Sequence, residues 1–226
     1  MIVFLVFYPF LYYEHIYNIH EMKKIALFAS GSGTNVENIM SYFISSRDVY
    51  VDSVLTNNPN AYVVERAAQW GVDCVIFDKD DFYKSEKVLD FLLDREIDFI
   101  VLAGFLWLVP EYLIDKYENS IINIHPALLP KYGGKGMYGM NVHKAVKENG
   151  DDKTGITIHY VNKEYDKGDV ILQKEVEIES SYTPEDIAAA VHTLEYRFFP
   201  RTIERILVPG LSYDDDDSES DSESDS

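Results

Sequence analysis

Cysteine is all but missing from this 226-residue chain: Cys74 stands alone. One thiol excludes an internal disulfide framework and any zinc site built on a cysteine cluster. It fits a reducing compartment, and a cytoplasmic location is expected. Basic side chains are scarce as well, 20 against 39 acidic ones, for a formal net charge of −19. A surface of that sign repels phosphate backbones and anionic headgroups, which argues against nucleic-acid and membrane partners. No apolar run reaches the roughly 20 residues that a spanning helix needs. The most apolar stretch, Met1–Tyr13, is interrupted by Pro9 and meets Glu14. It also lacks the positive start and small-residue cleavage site of a signal peptide. Residues 1–21 are therefore read as a leader outside the domain, upstream of a start at Met22. A packed apolar arm or a weak membrane contact are the other readings.

What is present divides the chain into three. Residues 214–226 are only Asp, Ser and Glu, with eight carboxylates and no base. Setting those aside, with Glu14 and Glu21, leaves −9 on residues 22–213. The acidic tail has nothing apolar to bury and is expected to be disordered, a solvated and self-repelling segment. Its interspersed serines keep a binding or phosphorylated tail as the alternative. Residues 22–213 are expected to form one catalytic domain without internal repeat or linker.

Within that domain, short apolar runs alternate with helical patterns. Strands are expected at Lys24–Ala29, Val49–Thr56, Cys74–Phe77, Phe99–Ala103 and Ile121–Ile124. Between them, Val36, Ile39, Met40 and Phe43 fall at helical spacing. Residues 61–70 read as a helix stopped by Gly71, Lys84–Arg95 as another, and Glu111–Tyr117 as a short one. Continuous apolar strands separated by helices predict an open, mostly parallel α/β sheet, Rossmann-like, with helices on both faces. After residue 150, Gly155–Val161 and Val170–Ile178 read as a hairpin-like extension. Thr183-Pro184-Glu185-Asp186 starts a last helix, with Thr at the N-cap and Pro at N1. Pro200 is expected to kink or end it.

Three segments carry candidate chemistry. Ser30-Gly31-Ser32-Gly33-Thr34-Asn35 follows the first strand and opens the first helix, where free N–H groups meet an anion. Val36 stands where a dinucleotide fingerprint needs a small residue, and no acid ends strand two. The Gly-Lys-Ser/Thr of a P-loop is also missing. A phosphate monoester is the natural guest, and a plain glycine turn the alternative. Asn123-Ile124-His125-Pro126 ends strand five, at the edge where open parallel sheets bind ligands. Alternation puts Asn123 and His125 on one side. Histidine moves protons near neutral pH, and an amide donates to a developing oxyanion, so the pair suits attack on a carbonyl. A structural histidine is the competing reading. Glu164–Asp169 is a polar turn by composition; a carboxylate from it near His125 would favour the imidazolium. His143, His159 and His192 are isolated in sequence and give no metal motif.

These segments, together with LAGFLWLVP, INIHPALLPKYGGKG, GITIHYV and EYDKGDVILQ, resemble the folate-dependent formyltransferases. The SGSGTN start is similar to their phosphoribosylglycinamide branch, and the likeness spans about Lys23 to Leu207. The resemblance implies transfer of the formyl group of 10-formyltetrahydrofolate, as co-substrate and without metal, to the amine of N1-(5-phosphoribosyl)glycinamide in purine biosynthesis. It implies Asn123, His125 and Asp166 as the catalytic group. It implies Gly33, Thr34, Asn35 and Glu195 as ribonucleotide contacts, and Leu106, Trp107, Leu108, Val109 and Asn123 as folate contacts. A protonated His125, kept charged by Asp166, is part of that expectation. So is a monomer or homodimer that binds only small molecules. Trp107 departs from the Arg found in many members, and the Gly133–Met140 loop is longer than usual. Competing readings are a formyltetrahydrofolate deformylase, whose usual N-terminal regulatory domain 21 residues cannot hold, and a methionyl-tRNA formyltransferase, which needs a basic C-terminal domain. A non-catalytic folate- or nucleotide-binding relative is the third.

Overall fold

The computed structural model describes residues 22–211; the apolar leader and the acidic tail lie outside the described residues. Five parallel strands form the first part of the sheet: β1 (Lys23–Phe28), β2 (Val49–Thr56), β3 (Asp73–Ile76), β4 (Phe99–Leu102) and β5 (Ile121–His125). β6 (Lys153–Tyr160) and β7 (Val170–Glu177) continue it antiparallel, giving the order β3-β2-β1-β4-β5-β6-β7. The expected parallel sheet with a hairpin-like extension is therefore the observed one.

The continuous apolar strands have a simple cause. Along β1, Ile25 and Leu27 enter one core while Ala26 and Phe28 enter the other. Both faces are covered, so neither can be polar. The first core is closed by α1 (Thr34–Phe43), α2 (Val63–Trp70) and α7 (Pro184–Leu207), through Val36, Ile39, Ala67, Val191 and Phe199. The second is closed by α3 (Lys79–Tyr83), α4 (Lys87–Asp94) and α5 (Glu111–Lys116), through Phe82, Leu92 and Leu113. A satellite cluster of Ala127, Val142, Val146, Ile178 and Ile187 joins α6 (Met140–Asn149) to the start of α7. Gly71 caps α2 at φ 68°, a left-handed conformation that favours glycine.

Three elements differ from expectation. The helix expected over Lys84–Arg95 is the shorter α4, and α3 is an additional helix before it. Asp78 starts α3 with a capping box to Asp81. α6 is additional: Val142, His143 and Val146 form its buried face, a stripe too short to stand out in a polar segment. Pro200 neither ends nor breaks α7, which runs to Leu207. Proline removes the N–H that would have met the carbonyl of Tyr196. Asn38 of α1 supplies the missing donor, its Nδ2 lying 3.0 Å from Tyr196 O.

Candidate active site

The strand order reverses between β1 and β4, and the two loops leaving those strands diverge there. Such a switch point opens a crevice at the carboxyl edge of a parallel sheet. Here it is a cavity of about 650 Å³, lined by the loops after β1, β4 and β5, by the 134–140 segment, and by α7. Ser30 ties the loops together. Its amide donates to Gly104 O at 3.0 Å, and its hydroxyl accepts from the Leu106 amide at 3.0 Å.

At one end sits the glycine loop. Gly33 takes φ 74° as the N-cap of α1 and has no side chain to cap it, so the first helical amides stay free for a ligand. A Cβ at Gly33 would stand 2.4 Å from Val63 Cγ2, so only glycine fits. Asn35 is buried and donates from Nδ2 to Glu195 at 2.9 Å. Glu195, 4% exposed, also accepts from His192 Nδ1 at 2.7 Å. That hydrogen bond raises the His192 pKa above 6.5, against the lowering effect of partial burial. Gly33, Thr34 and Asn35, together with Glu195 some 160 residues later, thus line one cavity. His143 joins them, 3% exposed, its pKa pushed down by burial. His143 Nδ1 and Asn35 Oδ1 are buried without a hydrogen-bond partner.

At the other end Asn123, His125 and Asp166 converge, as expected. His125 is 3% exposed. Its Nε2 lies 2.7 Å from Tyr132 O; a carbonyl only accepts, so Nε2 carries the proton. Nδ1 then faces Asp166 Oδ1 across 3.6 Å. The other Asp166 oxygen accepts from the Gly134 amide at 2.8 Å. Burial raises the Asp166 pKa, but the neighbouring His159 and His125 imidazoles and the Gly134 amide outweigh it and hold the carboxyl below its usual 3.8. Tyr132 and Asp166 both adopt positive φ, 56° and 53°, an uncommon conformation that recurs at functional sites.

The expectation of a protonated His125 is corrected. Burial is the largest influence and pushes its pKa below 6.5; the Asp166 carboxylate and the Tyr132 carbonyl oppose this without reversing it. The carboxylate is in place, but the imidazole has lost too much water for that neighbour to keep it charged near neutrality.

His159, like His143 and His192 in the cavity wall, is a residue the sequence does not single out. The β5–β6 register sets Asn123 opposite His159. His159 Nδ1 donates to Tyr160 O at 2.8 Å, leaving Nε2 as acceptor for Asn123 Nδ2 at 3.1 Å. The Asn123 amide is thus held in one orientation. Of the four residues 106–109, Leu106 alone lines the cavity. Trp107 packs instead among Phe77, Phe82, Tyr83 and Phe105, with Lys79 Nζ over its ring at 5.7 Å. Val109 is in the core, and Leu108 offers its carbonyl to Tyr83 Oη at 2.9 Å. Among the described residues no cluster of His, Cys, Asp or Glu could hold a metal ion, and no helix is long and apolar enough to cross a membrane.

A site with an anion-ready loop at one end and an amide, an imidazole and a carboxylate at the other has close counterparts. Residues 23–203 match the family model described as formyl transferase. The chain is 37% identical over 201 residues to the chloroplastic phosphoribosylglycinamide formyltransferase of Arabidopsis thaliana, covering 86% of this chain and 68% of that one. It is 34% identical over 191 residues to the phosphoribosylglycinamide formyltransferase of Bacillus subtilis, covering 82% and 95%. The solved phosphoribosylglycinamide formyltransferase of Bacillus halodurans superposes with a TM-score of 0.75 at 34% identity, over 84% of this chain and 97% of that one. Since the matched segment runs from the first strand into the last helix and carries every wall of the cavity, the chain belongs to the formyl transferase family.

Proposed function

We propose that the protein is a phosphoribosylglycinamide formyltransferase, moving the formyl group of 10-formyltetrahydrofolate to the amine of N1-(5-phosphoribosyl)glycinamide in purine biosynthesis. The observation that carries this reading is the sharing of one cavity by the glycine loop and the Asn123–His125–Asp166 group. Its size is within the usual range for small-molecule sites. The orphaned Asn35 Oδ1 and the Glu195 carboxylate call for donors, which ribose hydroxyls supply. The Gly33–Asn35 amides would hold the phosphate, and Leu106 the pterin, with Trp107, Leu108 and Val109 bracing that wall from behind. Residues 22–213 would be the catalytic unit.

The folate co-substrate supplies an activated one-carbon group. This chain positions the ribonucleotide amine against the formyl carbon. As the amine's electron pair forms the new C–N bond, charge moves onto the formyl oxygen. Asn123 Nδ2, already aligned by His159, donates a hydrogen bond to it. His125 begins neutral, so Nδ1 can take the proton that the amine must shed. Asp166 then faces a newly charged imidazolium at 3.6 Å and stabilises it. His125 returns the proton to the departing folate nitrogen as its bond to the formyl carbon breaks. The histidine ends as it began.

Release of tetrahydrofolate, followed by absorbance with and without the ribonucleotide, tests the reading. Release that depends on the ribonucleotide is expected; release that ignores it would mark a deformylase instead.

A further inference from the structure

We infer that Arg66, on α2 and outside the cavity, is a positioning residue that sets the glycine loop for the substrate's phosphate. The inference rests on the proposed phosphate site and adds what holds that site in shape. Two successive loop carbonyls are pinned to α2. Gly31 O accepts from the Val63 amide at 3.2 Å, and Ser32 O from Arg66 Nε at 2.9 Å. In a planar trans peptide the N–H points opposite to the C=O. Pinning these two carbonyls to α2 therefore turns the Ser32 and Gly33 amides away from α2, toward the side where the loop lines the cavity. They join the free Thr34 and Asn35 amides at the start of α1 in one cradle.

The clamp is needed because of the glycines. Gly31 and Gly33 flank Ser32, and residues without Cβ resist a peptide flip only weakly. Arg66 itself is held from three sides. Its Nη1 pairs with the Glu37 carboxylate of α1, its guanidinium lies 5.0 Å from the Tyr62 ring centroid, and its Nε is fixed on Ser32 O. Trp70 Nε1 steadies Glu37 from 3.4 Å. The pairing with Glu37 offsets the Arg66 charge, so Arg66 acts through loop geometry and not as a counter-ion. A lysine keeps the charge but lacks the planar fork that reaches Ser32 O and Glu37 together.

The test compares wild type with Arg66→Met and Arg66→Lys. It reads KM for each substrate, kcat, and the dissociation constant of inorganic phosphate by titration calorimetry. Both variants are expected to raise KM for the ribonucleotide and weaken phosphate binding by about tenfold, the worth of one lost positioning hydrogen bond, with kcat and KM for the folate within about twofold. Unchanged phosphate binding in Arg66→Lys would overturn the inference, as would an equal worsening of kcat and both KM values. If Arg66→Met does not fold, Arg66→Lys decides. The calorimetry needs no formyl transfer: phosphate binding that depends on Arg66, in a wild type whose folate release ignores the ribonucleotide, would sink the transferase reading and leave this one standing.

Discussion

In the proposed reaction, Asn123 would meet the substrate with its amide already committed in direction. His159 Nε2 accepts from one amide hydrogen of Asn123, and the second is left for a ligand in the cavity that Asn123 lines. A donor fixed in advance costs no reorganisation when charge develops, and losing one typically raises a barrier by about 3 kcal/mol. Asn123→Ala is expected to lower kcat by about a hundredfold or more in single-turnover kinetics. Turnover like wild type in that variant would remove Asn123 from the chemistry. Asn123 and His125 were legible as candidates because the end of a strand places them at the ligand-binding edge, whereas Asp166 was singled out only by the family resemblance, its turn being a plain one by composition. His159 was not, since its partner is 36 residues away and only the antiparallel register brings them opposite. Of the expected folate segment, only Leu106 lines the cavity. Trp107 has the right chemistry to stack on a flat ring, yet the aromatic cluster around Phe82 claims it.

At the scale of elements, α7 shows how a local rule yields to tertiary structure. Pro200 takes a donor away from the carbonyl of Tyr196, and Asn38 of α1 restores one. Asn38→Ala is expected to destabilise the protein by about 1 kcal/mol in denaturant unfolding. In a Pro200→Ala background the new alanine N–H can reach Tyr196 O itself, so the same substitution should cost clearly less there. Simple additivity across that cycle would count against the compensation. The start of α7 depends on Thr183, whose hydroxyl accepts from the Asp186 amide at 3.2 Å in a capping box. Thr183→Ala should lower stability by about 1 kcal/mol, read by the same unfolding curves. That start was visible in sequence because capping is local. Continuation past Pro200 was not, because the compensating group belongs to another helix.

For the whole molecule, several buried histidines give stability a pH dependence of definite sign. His125 and His143 have folded pKa values below 6.5. Below 6.5 the unfolded chain binds protons at both positions that the folded chain refuses, so stability falls as the pH drops toward the folded values. His192, raised by Glu195, acts in the other direction. Its contribution is fully present below 6.5 and fades only as the pH rises through its folded value, so it does not add to the acid-side slope. The thermal midpoint is therefore expected to decline on acidification below pH 6.5, and less steeply in His125→Gln. An unchanged slope in that variant would show that His125 is not a source of it. Asp166, held low, adds its own loss only at still lower pH, below 3.8.

By itself, the sequence determined the repeating strand–helix plan, the faces buried on both sides of the sheet and the glycine turn that opens α1. Each of these follows from composition and spacing within a few residues, which is the range over which periodicity and capping operate. It also set the net charge of −19, which disfavours polyanions yet does not prevent a cradle of backbone amides from binding one phosphate. Tertiary structure decided the lowered pKa of His125, the pairing of Asn123 with His159, the tolerance of Pro200 and the hydrogen bond of Arg66 to Ser32. Those depend on lost water and on partners tens of residues away, and neither exists until the sheet has closed and the helices have packed against it.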